Sequence, residues 1–180
     1  MVEGRIGYRY AKSLFSLAQE KKVMNEVKED MVVLRDTCEE SRELRNFLSS
    51  PLISTSKKRS VLEKLFKGQL KTDFSIQLVD LLARKGREPF LFHTAQAFLD
   101  IYDKEFHIAR GVITSAVKLP KKLVESIRDK MEAELNETLI LTEEVDPSLI
   151  GGYKIQVGDQ LFDGSVAASL RKIKREFQEN

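Results

Sequence analysis

Apolar residues recur at three- and four-residue steps from the N-terminus to about residue 106, which is the spacing of helices that bury one face. Helix-breaking residues interrupt this period at Pro51, Gly68 and Gly86. The pattern therefore predicts six short helices, which pack as a compact bundle when brief turns join them. The first helix is expected to start at residue 5, and the sixth has Pro89 in its first turn. The four helices between them are expected to begin with capping residues, in order Asn25, Ser41, Ser54 or Ser56, and Thr72.

The pattern changes after Phe106. Residues 109–119 alternate and are rich in β-branched side chains, which predicts a strand, and residues 138–145 predict another. Between them Pro120 opens a helix with a single apolar stripe. The predicted fold class is therefore mainly α: a six-helix bundle over residues 1–106, followed by a small α+β domain over residues 107–180.

The stretch GGYKIQVGDQLFDGS, residues 151–165, is either a phosphate-binding loop or a hairpin that leads into a capped helix. Its glycines fit neither G-x-G-x-x-G nor G-x-x-x-x-G-K-[ST], so a phosphate loop is disfavoured. We predict that Gly151 and Gly152 allow a bend or bulge and that Asp163 or Ser165 caps the last helix. The apolar face expected for that helix consists of Val166, Leu170, Ile173 and Phe177.

Charge and cysteine content exclude several classes of function. The 30 basic residues nearly balance the 28 acidic ones, for a net charge of +2, so we predict no nucleic-acid partner. A single cysteine, Cys38, leaves no internal disulfide and no thiolate cluster for zinc, and we expect it to be packed. His93 and His107 lie too far apart to share a metal on one helix. Neither a metal nor a cofactor is predicted.

No catalytic constellation is evident either. Glu143 and Glu144 are adjacent in a predicted strand, where successive side chains point to opposite faces, so they do not form a carboxylate pair. No apolar run approaches the roughly 20 residues that cross a bilayer. The amphipathic start of the chain is similar to a transit peptide, but Glu3 and Glu20 argue against one, so the chain is expected to be untargeted and cytosolic.

The first and fifth helices have more apolar surface than packing in a bundle requires. In the first helix the apolar positions span roughly 180°, where about 100° suffices. They form two stripes: Tyr8, Ala11, Phe15 and Ala18, and beside them Tyr10, Leu14 and Leu17 with Ser13. The fifth helix leaves little polar surface beyond Ser75, Gln77, Asp80 and Arg84. Either both helices are central in the bundle, or they share a groove for a partner's amphipathic helix.

Several segments match a family pattern. The C-terminal pattern is Leu139, Leu141, Val145, Asp146, Leu149, Gly151, Gly152, Tyr153, Ile155, Gln156 and Gly158. The segments DGSVAASLRKIK, YRYAKSLFSLA and LLARKGR match a closing helix, a first helix and the end of a fifth helix. In all of these the chain resembles the delta subunit of bacterial F-type ATP synthase, whose mitochondrial equivalent is the oligomycin sensitivity-conferring protein.

The resemblance implies a non-catalytic stator subunit that couples rotation to ATP synthesis and proton transport. It implies that the six-helix domain sits on the head formed by the alpha and beta subunits and grips alpha-subunit N-terminal helices. The C-terminal domain would be held by the b subunits of the peripheral stalk. Such a protein associates peripherally, through the complex, with the cytoplasmic face of the bacterial inner membrane.

The resemblance also favours the groove over the central-helix interpretation. It places the alpha-subunit helix between the first and fifth helices, and the expected contact residues are Tyr10, Ser13, Leu14, Leu17, Leu78 and Leu81. The main alternative is a free-standing helical adaptor or regulator that binds an amphipathic partner helix without a second anchor. A small nucleotide-dependent enzyme and a basic nucleic-acid binder are the weaker alternatives.

Overall fold

The computed structural model describes residues 2–171. The chain divides into two compact units, Met1–Asp103 and Lys104–Asn180, and the division falls within the predicted sixth helix. The described part is mainly helical, with a small sheet in the C-terminal region. Its elements are α1 (Val2–Lys21), α2 (Met24–Glu40), α3 (Arg42–Ser49), α4 (Thr55–Phe66), α5 (Asp73–Arg84), a 3₁₀ turn (Glu88–Phe90), α6 (Leu91–Glu105), β1 (Ile108–Ser115), α7 (Lys121–Leu135), β2 (Thr138–Val145), β3 (Tyr153–Val157) and β4 (Gln160–Asp163).

Three of the predicted helix caps are confirmed. The Ser41 hydroxyl accepts a hydrogen bond from the Leu44 amide at 3.1 Å, at the start of α3. Ser54 caps α4 and Thr72 caps α5 in the same way. Each hydroxyl satisfies an amide that has no partner inside its own helix, which is why these residue types begin helices.

Two other helix starts were predicted wrongly. The helix α2 begins at Met24 after Val23, and the Asn25 side chain instead accepts a hydrogen bond from the Tyr102 hydroxyl at 3.3 Å. Pro89 lies in the separate 3₁₀ turn before α6, not in the first turn of α6. The Asn25 side chain is used in a contact with α6, and the residues around Pro89 form a short turn of their own; the helical period shows neither feature.

Glycine allows α1 to pass very close to α6. A Cβ atom added to Gly7 would lie 2.9 Å from the carbonyl carbon of His93, which is closer than side chains tolerate. Further along α1, the ring of Phe15 packs against that of Phe98 with centroids 5.7 Å apart. These contacts belong to a core whose largest fully buried apolar side chains in unit 1 include Phe98, Met31, Leu34, Leu62, Leu82 and Leu91.

A buried carboxylate holds the start of α5 against α2. Asp30 is 1% exposed and accepts hydrogen bonds from the Lys71 amide at 2.7 Å and the Thr72 amide at 3.0 Å. The Thr72 hydroxyl donates to the same carboxylate at 2.6 Å and accepts from the Ser75 amide. Asp30 therefore extends the cap of α5 through tertiary contact and also places a negative charge at the positive end of that helix.

A second buried charge joins the end of α3, α4 and the 3₁₀ turn. Lys58 and Glu88 are 4% and 3% exposed, and the Lys58 ammonium donates to Glu88 Oε1 at 2.8 Å and to the Leu48 carbonyl at 2.6 Å. Glu88 Oε2 has no hydrogen-bond partner among the described residues. Burial removes water from both charges, so each depends on the other.

Unit 2 has a four-stranded sheet in the order β2-β1-β3-β4. Strands β1 and β2 are parallel, and the helix α7 connects them; the other neighbouring strands are antiparallel. The buried core consists of Ala109, Ile113, Ile127, Met131, Leu139 and Ile155, so α7 covers one face of the sheet. The predicted strand over 109–119 ends at Ser115. A closing helix starts at Val166 and is described as far as Arg171, so Ile173 and Phe177 lie outside the described residues.

The buried ion pair gives a prediction about stability. Lys58→Met should lower the free energy of unfolding by about 3–5 kcal/mol, because Glu88 is left charged and unpaired in the interior. The double variant Lys58→Met/Glu88→Leu should recover most of that loss. Urea unfolding followed by circular dichroism measures both changes. Equal destabilisation of the single and double variants would show that the lysine contributes by packing and not by charge.

Candidate functional site: the surface of α1 and α5

The helix α1 buries most of one predicted apolar stripe and only part of the other. Ala11, Phe15 and Ala18 are buried, as expected for core positions, but Tyr8 from the same stripe is 51% exposed. In the neighbouring stripe Leu14 is 5% exposed, Tyr10 and Leu17 are half-buried, and Ser13 is exposed. The apolar side chains of α1 therefore occupy a wider arc of the helix surface than the rest of the chain buries.

The helix α5 exposes apolar side chains on both sides of its buried face. Leu78, Val79, Leu82 and Ala83 are buried, whereas Leu81 is 38% and Ile76 is 46% exposed. Ser75 was predicted to be polar surface, and this is wrong. It is fully buried because its hydroxyl and amide complete the Thr72 cap.

The two helices are packing neighbours, and α1 also contacts the 3₁₀ turn after α5. We call Tyr10, Ser13, Leu14, Leu17, Leu78 and Leu81 the α1/α5 surface. Two of its members, Leu14 and Leu78, are buried by their own chain, so they can only form the apolar base, or floor, beneath the accessible members. The other four keep accessible surface, so the two helices are not covered on every side by their own chain.

Arg87 is a rim residue that the sequence analysis missed. Its guanidinium donates to the Tyr10 hydroxyl at 2.8 Å and lies 5.7 Å from the centre of the Tyr10 ring. These contacts hold one end of the α1/α5 surface, since Arg87 follows α5 and Tyr10 belongs to α1. The segment LLARKGR contains this arginine, but nothing in the sequence pairs it with a tyrosine so far away along the chain.

A second concave surface lies on the opposite side of α5. A cavity of about 360 Å³ opens between α4 and α5, with Leu62, Phe66 and Val79 in its lining and Ile76 at its side. Arg59 and Asp80 also line it and form an ion pair at 2.5 Å. The sequence does not reveal this cavity, because the helical period gives the apolar positions of α5 but not the neighbour that each one faces.

The glycine stretch forms a hairpin and a helix cap. Gly152 has a φ of +79°, and a Cβ atom there would collide with the Gly164 carbonyl oxygen. The Val166 amide donates to the Gly151 carbonyl at 3.0 Å, and the Ser165 hydroxyl accepts from the Ala168 amide at 3.2 Å. The stretch therefore forms an antiparallel hairpin of β3 and β4 that leads into a capped helix, as the hairpin interpretation predicts.

Asp163 supports the same cap. Its Oδ1 accepts a hydrogen bond from the Ser165 amide at 3.0 Å, and its Oδ2 lies 3.3 Å from the Arg171 guanidinium. Hydrogen bonds from Ser165, first of all, and the charges of Lys154 and Arg171 hold the pKa of Asp163 below its ordinary value. These groups stabilise the ionised carboxylate, which is what an N-terminal capping position requires.

Cys38 is a packed side chain. It is 1% exposed, and burial raises the pKa of its thiol to about 11 against the smaller opposing effect of Arg45. The reactive thiolate is therefore scarce at neutral pH. Within residues 2–171 no group of three or more histidine, cysteine, aspartate or glutamate side chains is placed to hold a metal. In the same range no helix has the length and apolar character needed to span a bilayer.

The described residues therefore comprise a helical unit with accessible apolar side chains on α1 and α5, and a small α+β unit. A model of the family described as "ATP synthase delta (OSCP) subunit" matches residues 6–177. Proteins named ATP synthase subunit delta are similar over almost the whole chain. That of Christiangramia forsetii is 35% identical over 176 residues, 98% of this chain and 95% of the relative. That of an Anaeromyxobacter species is 34% identical over 179 residues, 99% of this chain and 100% of the relative.

A solved structure agrees with these relatives. A chain in the cryo-EM structure of the Toxoplasma gondii mitochondrial ATP synthase hexamer matches with a TM-score of 0.70 at 25% identity, covering 99% of this chain and 98% of that one. The chain belongs to the ATP synthase delta (OSCP) family. It is a non-catalytic stator subunit of a membrane-associated complex and links the catalytic head to the peripheral stalk. The free-standing adaptor and the nucleotide-dependent enzyme are thereby set aside.

The glycine stretch gives a prediction that separates steric from backbone effects. Gly152→Ala should destabilise the protein by about 1–3 kcal/mol, because alanine resists the positive φ and its methyl group meets the Gly164 carbonyl. Gly158→Ala is the control, since Gly158 also has a positive φ but has no atom within 4 Å of an added Cβ. Chemical unfolding should show the larger loss at Gly152. Equal losses at the two positions would mean that the close approach to Gly164 contributes nothing.

Proposed function

We propose that α1–α6 form one bundle and that the α1/α5 surface binds the N-terminal helix of an alpha subunit. The observation that supports this most directly is the exposure of Leu81, 38%, on a helix that packs beside α1. Leu78 is buried on the same helix as exposed Leu81, and Leu14 is buried on the neighbouring α1, so a partner helix would find an exposed apolar contact near an apolar floor. A few such buried anchors supply most of the affinity of a helix-in-groove interface.

The remaining members of the surface fit the same role. Ser13 is small and exposed, so it permits close approach of a second helix backbone, while Tyr10 and Leu17 flank it on the same face of α1. The Arg87 contact orients the Tyr10 ring and brings a positive charge to the rim. An acidic or polar residue at the corresponding end of the partner helix would complement that charge.

A subunit that links two parts of a complex under load needs a second binding site. We propose that the unit containing β1–β4 and α7 is held by the peripheral-stalk b subunits, and that the helical unit lies against beta as well as alpha subunits of the head. The proposal places the protein at the cytoplasmic face of the bacterial inner membrane, attached through the complex. Family membership supports these assignments, because the stator holds the head still while the central shaft rotates.

Leu81→Asp tests the proposed groove. It should abolish binding of a synthetic alpha-subunit N-terminal peptide, since a carboxylate would have to be buried without a partner. Ile76→Asp is the matched control: it changes a residue of similar exposure on the same helix, but on the side that faces α4. Titration calorimetry with the full chain should show binding to the control and none to Leu81→Asp.

The two variants also report on the fold, because both positions are exposed and unfolding curves should remain close to that of the parent chain. Undiminished peptide affinity in Leu81→Asp would remove this residue from the interface. Equal loss in both variants would place the peptide elsewhere on α5, or across the cavity between α4 and α5.

A mutation in one of the two proposed binding sites should leave the other site functional. In a pull-down from dissociated synthase, tagged Leu81→Asp should lose the alpha and beta subunits and still retain the b subunits, because the second binding site lies in the other unit. The parent chain should retain all three. Simultaneous loss of the b subunits would contradict independent anchoring.

A further inference from the structure

Strand β2 forms one edge of the sheet, and half of its backbone groups face away from β1. The Thr138 amide donates to the His107 carbonyl at 2.8 Å, and the Asp146 amide donates to the Ser115 carbonyl at 2.9 Å. In a parallel pair, alternate residues bond to the neighbouring strand, so the even-numbered residues from 138 to 146 face β1. The amides and carbonyls of Leu141 and Glu143 therefore point outward.

The first outward amide is already occupied by a side chain. The Leu139 amide donates to Glu132 Oε1, on α7, at 2.8 Å. Within residues 2–171 no hydrogen bond is formed by the outward amides of Leu141, Glu143 and Val145. Among the described residues, Glu132 thus marks where the protected part of the edge stops, and a part without hydrogen bonds to its outward amides runs from residue 141 to residue 145, which we call the free edge.

Side chains give the free edge a negative charge on both faces of the sheet. Glu143 and Glu144 are exposed and point to opposite faces because they are adjacent in a strand. Val145 is 55% exposed at the end of β2, and Ile140 is 43% exposed just before the free edge. Natural edge strands are commonly protected by charged side chains, above all lysine, by proline or by a bulge. Residues 141–145 contain no lysine, proline or bulge, so the two glutamates are their protection, and they repel acidic strands but not basic ones.

We propose that the free edge of β2 binds an extended, basic segment of a partner protein, which adds a fifth strand to the sheet. Backbone hydrogen bonds to Leu141 and Glu143 would supply affinity, and successive lysine or arginine side chains would pair with Glu143 and Glu144. A second copy of this chain is disfavoured, because a twofold axis at the free edge would oppose glutamate to glutamate. The inference stands independently of the α1/α5 surface.

Amide hydrogen exchange by NMR tests whether the edge is open. In the free full-length chain, Leu141 and Glu143 should exchange much faster than their strand neighbours Thr142 and Glu144, whose amides bond to β1. Equal protection of the two sets would mean that the edge is already covered, and the proposal would be overturned.

A peptide titration tests the partner chemistry. The probe is a short fluorescent peptide with two successive lysines between valines and threonines, and its control has the same sequence with alternate backbone nitrogens methylated. The parent chain should bind the probe, protect the Leu141 and Glu143 amides, and ignore the methylated control. The Glu143→Lys/Glu144→Lys variant should bind the probe roughly tenfold more weakly or worse.

Glu143→Pro is a second variant, because it removes one outward amide and spares the bonds to β1. It should also weaken binding, and the charge-reversal variant keeps the test valid if the proline disturbs the strand. Binding of the methylated control as tightly as the probe would reduce the interaction to charge alone and overturn the proposal. So would the absence of any binding, or dimerisation of the chain through β2.

Discussion

The carboxylate of Asp30 is the interaction on which the helical unit most depends. It accepts hydrogen bonds from the amides of Lys71 and Thr72, the two residues just before α5, and it is 1% exposed, so water cannot replace it. This contact fixes the start of α5 relative to α2. Because a helix is stiff, fixing its start also determines where Leu78 and Leu81 lie further along it. The surface that we assign to partner binding is thus a consequence of a buried polar contact.

Both units use buried or semi-buried polar contacts at the points where elements meet. Lys58 and Glu88 join α3, α4 and the 3₁₀ turn, and Ser165 with Asp163 starts the closing helix of unit 2. Such contacts are directional, whereas the hydrophobic effect that drives burial of the apolar cores is not. A non-catalytic subunit that resists torque benefits from fixed helix positions, because each proposed binding site requires its contact residues to keep their relative positions.

The two units present different kinds of surface. Unit 1 exposes apolar side chains on both sides of α5, which suits the apolar face of a partner helix. Unit 2 exposes a strand edge with glutamates on both faces, which suits an extended basic segment. The two surfaces that we propose as binding sites therefore belong to different units of the chain.

The local sequence pattern by itself predicted several helix starts and the family of this protein. Ser41, Ser54 and Thr72 begin helices because their hydroxyls cap free amides, and the spacing of the glycines in residues 151–165 favours a hairpin over a phosphate-binding loop. The resemblance carried by the C-terminal pattern and the helix segments was enough to identify the family. What only the tertiary structure decided is which side chain faces which neighbour. Periodicity counted Ser75 as surface, but it is buried because of its contacts with Thr72, which in turn bonds to Asp30 on another helix. The pairing of Arg87 with Tyr10, the cavity beside α4 and the free edge of β2 depend on residues far apart in the chain, and a one-dimensional pattern contains no distance between them.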